Sequence, residues 1–306
     1  MRLINRAIDR NWMDGLEDRL RFSVVVPAYN ESAYLGETLE ALLAQDFPGS
    51  YEVIVVDNNS TDDTAAVAAG YGVRVVHEDD RGVCAARQRG SSIARGDIIV
   101  STDADTLQPR NWLRTIDARF SESEQVVAVA GPCRYQDPSW WARAYPPLLF
   151  GSVAAVAAVT GYVFYVTATN LAVRRSAFPG YDLNLTQGGD EIDLLRRLRR
   201  RGKVVFERRN VVTTSARRLQ RGLVYTVLVS FFVYYLLAYL LNRVSARRTL
   251  GNAPAIRYPR IRRPALRRPG RSTLLGMTII GLALASLVTG AGPAAFASLS
   301  GFWNRP

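Results

Sequence analysis

The chain has 306 residues, 48% of them hydrophobic and 22% charged, with a formal net charge of +12. That length suits one large domain or two ordinary ones, and an aromatic content of 10% excludes a disordered, collagen-like or low-complexity protein. Two cysteines, Cys84 and Cys133, are too few for a disulfide scaffold; they read as small buried residues, with a reducing compartment as the default. The single histidine, His77, excludes a histidine-based zinc cluster and most Ser-His-Asp schemes; it ends a strand, where it caps or faces solvent.

The charge is unevenly placed. Residues 222–306 hold 11 Arg and no Asp, Glu or Lys, so the first 221 residues balance 28 basic against 27 acidic side chains. A nearly neutral body argues against nucleic-acid binding. The basicity belongs to the C-terminal tail.

In chain order, Ile4, Ile8, Trp12, Leu16 and Leu20 recur every four residues, which predicts an amphipathic helix over 1–21, packed on the body or lying on a membrane. From residue 22 short apolar runs alternate with helical periodicity. Strands are expected at 22–26, 52–57, 73–77 and 98–102, and helices at 34–45, 62–69 and 83–95. That alternation predicts an α/β, Rossmann-like body with a mainly parallel sheet flanked by helices. Ligands bind such sheets beyond the carboxyl ends of the strands. There the sequence places Asn30-Glu31, Asp57-Asn58-Asn59 and Asp103-Ala104-Asp105.

Three uncharged stretches follow, at 144–173, 222–242 and 272–304. The first, which carries Pro146-Pro147, reads as groove-lining or interfacial. Residues 272–300 are long and apolar enough for a transmembrane helix. Between the second and third lies a linker, 243–271, with ten arginines, and the positive-inside bias puts it in the cytoplasm. With the body on the same cytoplasmic face of the cell membrane, 222–242 is expected to lie in the interface or re-enter. The alternative is a two-helix hairpin with the linker outside.

Two carboxylates one residue apart at a strand end, Asp103 and Asp105, suit a hard divalent cation that keeps open positions for a diphosphate. Around them stand Val24-Val25-Val26-Pro27-Ala28-Tyr29-Asn30-Glu31, Val55-Val56-Asp57-Asn58-Asn59-Ser60-Thr61-Asp62-Asp63-Thr64, and Arg81-Gly82-Val83-Cys84-Ala85-Ala86-Arg87-Gln88-Arg89-Gly90. This ordered series, over roughly 22–215, resembles the family 2 inverting glycosyltransferases of the GT-A fold. The resemblance implies a GT-A domain over 22–221 that binds a nucleotide diphosphate sugar, UDP- ahead of GDP-, with Mn²⁺ or Mg²⁺ as cofactor.

By the same resemblance, Asp57 bonds the nucleotide base, the turn of Pro27, Tyr29 and Glu31 walls the nucleoside, and Arg87 lies near the nucleotide. Asp103 and Asp105 hold the metal, Asp105 more directly, and Asn170 lies in the segment lining the donor sugar. Gly188-Gly189-Asp190-Glu191-Ile192-Asp193-Leu194 resembles the helix start that supplies the base, with the two acids swapped, so both Glu191 and Asp190 are candidates. Arg217 and Arg218 are expected at the donor diphosphate or an acceptor phosphate. Trp140 and Trp141 are expected to stack on a sugar or acceptor, or to anchor at an interface. Two departures stand out: Asp80 replaces a common Asn, and no histidine lies downstream as a further metal ligand. The stretch 220–225 lacks the Arg-Trp ending of processive synthases.

The function expected is therefore sugar transfer to a membrane-associated acceptor: a polyprenyl phosphate, a lipid-linked saccharide or a glycolipid. The competing reading is a catalytically degenerate, membrane-anchored scaffold that binds nucleotide sugar. Nucleotidylyl transfer would call for a glycine-rich phosphate loop, and neither GxGxxG nor GxxxxGK[ST] occurs. The oligomeric state is not legible.

Overall fold

In the computed structural model, the described residues are 20–185 and 189–222, with single positions 225, 233, 237, 241 and 242. The first half runs β1 (Phe22–Ala28), α1 (Ser32–Leu43), β2 (Tyr51–Asp57), α2 (Thr64–Gly70), β3 (Arg74–His77), α3 (Val83–Ser92) and β4 (Ile98–Ser101). All four expected strands and all three expected helices are present. Helix α3 stops at Ser92 rather than at 95. The Arg95 and Gly96 amides leave the helical ladder and donate to Glu52 Oε1 (2.9 Å) and Ser23 Oγ (2.8 Å).

The second half contributes β5 (Thr106–Leu107), α4 (Trp112–Ser121), β6 (Val126–Ala130), β7 (Cys133–Gln136), α5 (Trp140–Thr160), β8 (Leu171–Arg174), α6 (Gly189–Arg199), β9 (Lys203–Phe206) and β10 (Val212–Ser215). The main sheet has seven strands in the order β3-β2-β1-β4-β8-β6-β9. Its pairings are parallel except where β8 runs antiparallel to β4 and β6. A second sheet, β5-β10-β7, ties the segment after Asp105 to the residues before Arg217.

Both faces of the main sheet are covered, which is why β1 is apolar apart from Ser23 and is buried throughout. Val24, Val26, Val55 and Val100 pack with Leu35 and Leu39 of α1 and with Trp112 and Ile116 of α4. On the other face Val25, Val56 and Ile99 meet Ala86 of α3, and Val173 and Ala128 meet Leu194 and Leu198 of α6. Pro27 fits because β1 pairs with β4 only through Val25, whereas its pairing with β2 runs on to Ala28.

The stretch 144–173 forms neither a strand nor a loop at its start. It lies largely in α5, a 21-residue helix that runs through Pro146 and Pro147. Among the described residues this is the one helix long and apolar enough to cross a membrane, and much of it is not buried in the protein. The helix expected over 1–21 (apart from its last two residues), the Arg-rich linker 243–271, the final segment 272–300 and most of 222–242 lie outside the described residues.

At Gly96 the chain passes hard against its own backbone. A Cβ there would lie 2.5 Å from the carbonyl carbon of Phe22 and 2.6 Å from the Ser23 amide nitrogen, both backbone atoms with no room to yield. Gly96→Ala is expected to destabilise the fold by about 1–3 kcal/mol, as overpacking does. The midpoint of urea unfolding, compared with the unaltered chain, checks this.

Candidate active site

Between β1 and β4 the strand order reverses, and crevices at such switch points are where α/β sheets bind ligands. The acids read from the sequence converge there. Asp57 ends β2 with Oδ1 accepting from the Ser60 amide at 3.3 Å. Its Oδ2 lies 3.4 Å from His77 Nδ1, because the β2–β3 register sets Asp57 opposite His77. His77 thus holds a carboxylate at the end of β2, a contact that became legible only once the register was known.

Two turns are pinned beside it. Asn30, with a positive φ of 53°, accepts from the Thr61 amide at 2.7 Å, and its own amide donates to Ser60 Oγ at 3.0 Å. Asn58 Nδ2 donates to the carbonyls of Glu78 (2.9 Å) and Asp80 (2.7 Å), while its Oδ1 accepts from the Gly82 amide at 2.7 Å. One side chain therefore fixes the whole loop leading into α3, and the sequence had offered Asn58 only as part of a polar turn.

At the end of β4, Asp103 Oδ1 accepts from Arg87 at 2.9 Å and Oδ2 from Thr169 Oγ1 at 2.7 Å. Burial works against its charge, but Arg87 and Thr169 outweigh it and hold the Asp103 carboxyl below the usual range. Asp105 is treated differently. Its oxygens meet Thr214 Oγ1 at 3.3 Å and Arg217 at 3.0 Å, yet burial dominates and pushes its carboxyl up. Arg217 reaches on to Glu31 Oε1 at 2.5 Å and lies over the Tyr34 ring, 4.8 Å from its centre. Arg218 adds positive charge near both aspartates.

Helix α6 brings the last two acids. Asp190 and Glu191 occupy its first turn, where the helix dipole favours negative charge, and both are buried. Asp190 Oδ2 faces Arg87 at 3.3 Å, so one guanidinium, only 1% exposed, joins the end of β4 to the start of α6. Glu191 Oε1 accepts from the Ala168 amide at 2.8 Å. Burial and the neighbouring Asp190 charge push the Glu191 carboxyl up to about 7.

Five carboxylates (Glu31, Asp103, Asp105, Asp190 and Glu191) therefore surround three guanidinium groups (Arg87, Arg217 and Arg218). The surplus negative charge and the elevated Asp105 fit a divalent cation bound through oxygen. Among the described residues no group of three or more His, Cys, Asp or Glu side chains is arranged to hold a metal. Two carboxylates with substrate oxygens completing the shell match magnesium-like coordination.

The other expected residues lie further from these charges or are held by the scaffold. Asn170, expected beside the donor sugar, is 2% exposed. Its Oδ1 accepts from Trp112 Nε1 (2.9 Å), and its Nδ2 donates to the carbonyls of Pro132 (3.1 Å) and Asn210 (2.6 Å). The amide is occupied by the scaffold. Trp141, expected to stack on a ligand or to anchor at an interface, is buried against Ala142 and Leu219. Trp140 opens α5, and Tyr29 and Pro27 lie at the end of β1. Cys84 and Cys133 are free and buried, and burial pushes the Cys133 thiol up to about 12.

A mainly parallel sheet with this acidic crevice at its switch point defines the GT-A class of architecture. Within that class the chain belongs to glycosyl transferase family 2, whose model matches residues 23–181. It is 28% identical over 189 residues to the glucosyl-dolichyl phosphate glucuronosyltransferase of Haloferax volcanii, covering 56% of this chain and 59% of that one. It is 46% identical over 105 residues to an uncharacterised glycosyltransferase of Mycobacterium tuberculosis, covering 34% and 46%. The chain thus spans between 46 and 59% of the length of these relatives. In fold it is similar to glucosyl-3-phosphoglycerate synthase of M. tuberculosis, solved with Mn²⁺, UDP and glucosyl-3-phosphoglycerate. The TM-score is 0.55 at 22% identity, over 76% of this chain and 81% of that one.

Two measurements probe this charge balance. Arg87→Met leaves Asp190 buried, and Asp103 partly buried, without their counter-charge, and the expected loss is about 3–5 kcal/mol in urea unfolding. Between the ordinary value of 4.5 and about 7 the folded chain keeps a proton on Glu191 that the unfolded chain releases. This group therefore makes stability fall as pH rises through that window. Glu191→Gln is expected to remove that slope, read as unfolding midpoints across the same pH range.

Proposed function

We propose that the protein transfers a sugar, with inversion, from a nucleotide diphosphate sugar to a lipid acceptor at the cell membrane, its catalytic body on the cytoplasmic face. The acceptor is a polyprenyl phosphate, a lipid-linked saccharide or a glycolipid. The carrying observation is the buried Glu191 carboxyl, pushed up to about 7 at the start of α6 and facing the crevice that holds Asp103 and Asp105. A base needs a proton affinity near working pH, and Glu191 has it, while Asp190 is committed to Arg87.

Glu191 takes the proton of the acceptor oxygen, a saccharide hydroxyl or a protonated phosphate oxygen, as that oxygen attacks the anomeric carbon of the sugar. The bond from that carbon to the diphosphate breaks on the opposite face, and the nucleoside diphosphate leaves with the bonding electrons. Asp57, steadied by His77, bonds the base, and the turn of Pro27, Tyr29 and Glu31 walls the nucleoside. Asp103 and Asp105 would hold Mn²⁺ or Mg²⁺, which supplies positive charge to the leaving diphosphate. Arg217 and Arg218 bring guanidinium groups suited to the diphosphate or to an acceptor phosphate.

The M. tuberculosis synthase similar in fold binds UDP together with Mn²⁺, which supports UDP ahead of GDP and manganese as the first metal to try. The Haloferax relative, named for a dolichyl phosphate substrate, supports a lipid-linked acceptor. The uncharged stretches near the C-terminus support the membrane.

A screen of nucleotide sugars with Mn²⁺ and membrane extract as acceptor tests the reading. Transfer from one donor is expected, and a flat response to all of them would favour the scaffold. Glu191→Gln is expected to lower kcat by about 10²–10⁴ with little change in donor KM. For the unaltered chain kcat should climb with pH and level off above about 7, as Glu191 gives up its proton. Full activity of Asp105→Ala at saturating Mn²⁺ would show that the metal is held elsewhere.

A further inference from the structure

Helix α5 is at odds with the globular body that carries it. One stripe, Ala142, Pro146, Phe150 and Val153, recurs at helical spacing and is buried. The opposite stripe, Tyr145, Leu148, Gly151, Ala155 and Val159, has the same spacing and is exposed; Tyr162 continues it just past the helix. Leu148 is 52% and Val159 86% exposed. A surface helix of a globular protein normally turns charged side chains outward. Here the only charged residue is Arg143, in the first turn, and no carboxylate occurs between Asp137 and Asp182.

We propose that this outward stripe of α5 rests on the lipid bilayer, as a helix lying in the plane of the membrane. The proposal rests on the lipid-acceptor reading and adds which surface touches the lipid.

Three observations select a bilayer over other occupants. First, α5 cannot span, although its length and hydropathy would allow it. Phe150 and Val153 are embedded in the protein core, and Val163 and Val166 fix the chain beyond its C-terminus, so only one side of the helix can meet lipid. Second, the ends carry interfacial chemistry. Tyr145 and Tyr162 flank the aliphatic stretch, Arg143 opens it, and Arg199 lies over the Tyr162 ring, 4.4 Å from its centre. Tyrosines and arginines of this kind sit at headgroup level, and anionic headgroups meet no carboxylate here. Third, the inward side of α5 holds the segment through which the chain leaves the body, so the helix and that exit lie together. Trp141 and Ala142 pack on Leu219, three residues before Gly222, where the uncharged run 222–242 begins. Val233, Leu237 and Leu241 of that run are also exposed, at a spacing of four.

This placement has a functional consequence. Leu219 is two residues from Arg217, which contacts Asp105. The side of the crevice lined by Arg217 and Arg218 would then open at headgroup depth, where an acceptor phosphate lies.

Because Cys84 and Cys133 are buried, a single introduced cysteine can be labelled selectively. The full chain is reconstituted in phosphatidylcholine–phosphatidylglycerol vesicles with a polarity-sensitive dye at Leu148→Cys or Val159→Cys, and at Ser121→Cys, exposed at the end of α4, as control. Emission at 148 and 159 is expected to shift to the blue and to be quenched by brominated lipid chains, with no change at 121. A dye at 148 and 159 that stays water-like in vesicle-bound protein overturns the proposal. So does a blue shift that brominated lipid leaves unquenched, since a second copy or another segment of the chain would then cover the face. A paired Leu148→Glu, Val159→Glu variant should lose transfer to vesicle-borne acceptor and keep the unaltered rate of nucleotide-sugar hydrolysis. Absence of transfer by the unaltered chain from every nucleotide sugar would instead defeat the transferase reading, and the dye measurement stands independently of it.

Discussion

The ion bridge from Asp103 through Arg87 to Asp190 is the contact on which the rest of the site depends. Arg87 comes from α3 on one side of the crevice, Asp103 from the end of β4, and Asp190 from the first turn of α6, so three separately packed elements share one guanidinium. In a nearly dry setting each of these charges would be costly alone. Together they hold α6 against the sheet and leave Glu191, next in sequence, without a strong counter-charge. Its elevated carboxyl follows from that arrangement: Asp190 takes the arginine and Glu191 is left with burial and a like-charged neighbour. Arg87, expected from the sequence near the nucleotide, thus pairs with two of the protein's own acids, and it sets the chemistry of the residue beside its partner.

A second bridge mirrors the first. Arg217 links Glu31, at the turn after β1, to Asp105, and the small β5-β10-β7 sheet brings these groups together across more than a hundred residues of chain. Thr169 and Thr214 each supply a hydroxyl to one aspartate of the pair. The two aspartates look equivalent in sequence, yet Asp103 is held down and Asp105 pushed up, because Arg87 and Thr169 outweigh burial at the one and burial outweighs Arg217 at the other.

How much of this was legible depended on range. Strands 22–26 and 98–102, with the helices between them, are local patterns of alternation and periodicity, and they reappear almost residue for residue because both faces of the sheet are covered. The acids at the strand ends were legible for the same reason. What could not be read is what register and tertiary packing decide. His77 meets Asp57 only through the β2–β3 register, and Asn170 is drawn inward by Trp112, Pro132 and Asn210, three partners far away in sequence. Trp141 disappears beneath Leu219, and the pattern that suggested an interfacial stretch at 144–173 proved to belong to a long helix with one side packed.

The antiparallel strand β8 has a consequence for how the molecule is made. Residues 22–101 pair β1 with β2 and β4, and β2 with β3, through short connections, so this half can organise while the ribosome is still at work. The outer edge of β4 must then wait for β8, about 70 residues further along the chain, and at roughly 5–20 residues per second that interval lasts several seconds. Throughout it the edge of β4 that β8 will cover is open, beside the apolar Ile98, Ile99 and Val100, while the Ile98 amide already donates to the Arg21 carbonyl on the β1 side. The strand that leads to Asp103 and Asp105 thus keeps an open apolar edge until β8 is made, and α5, made just before β8, leaves the ribosome with its own apolar stripe uncovered.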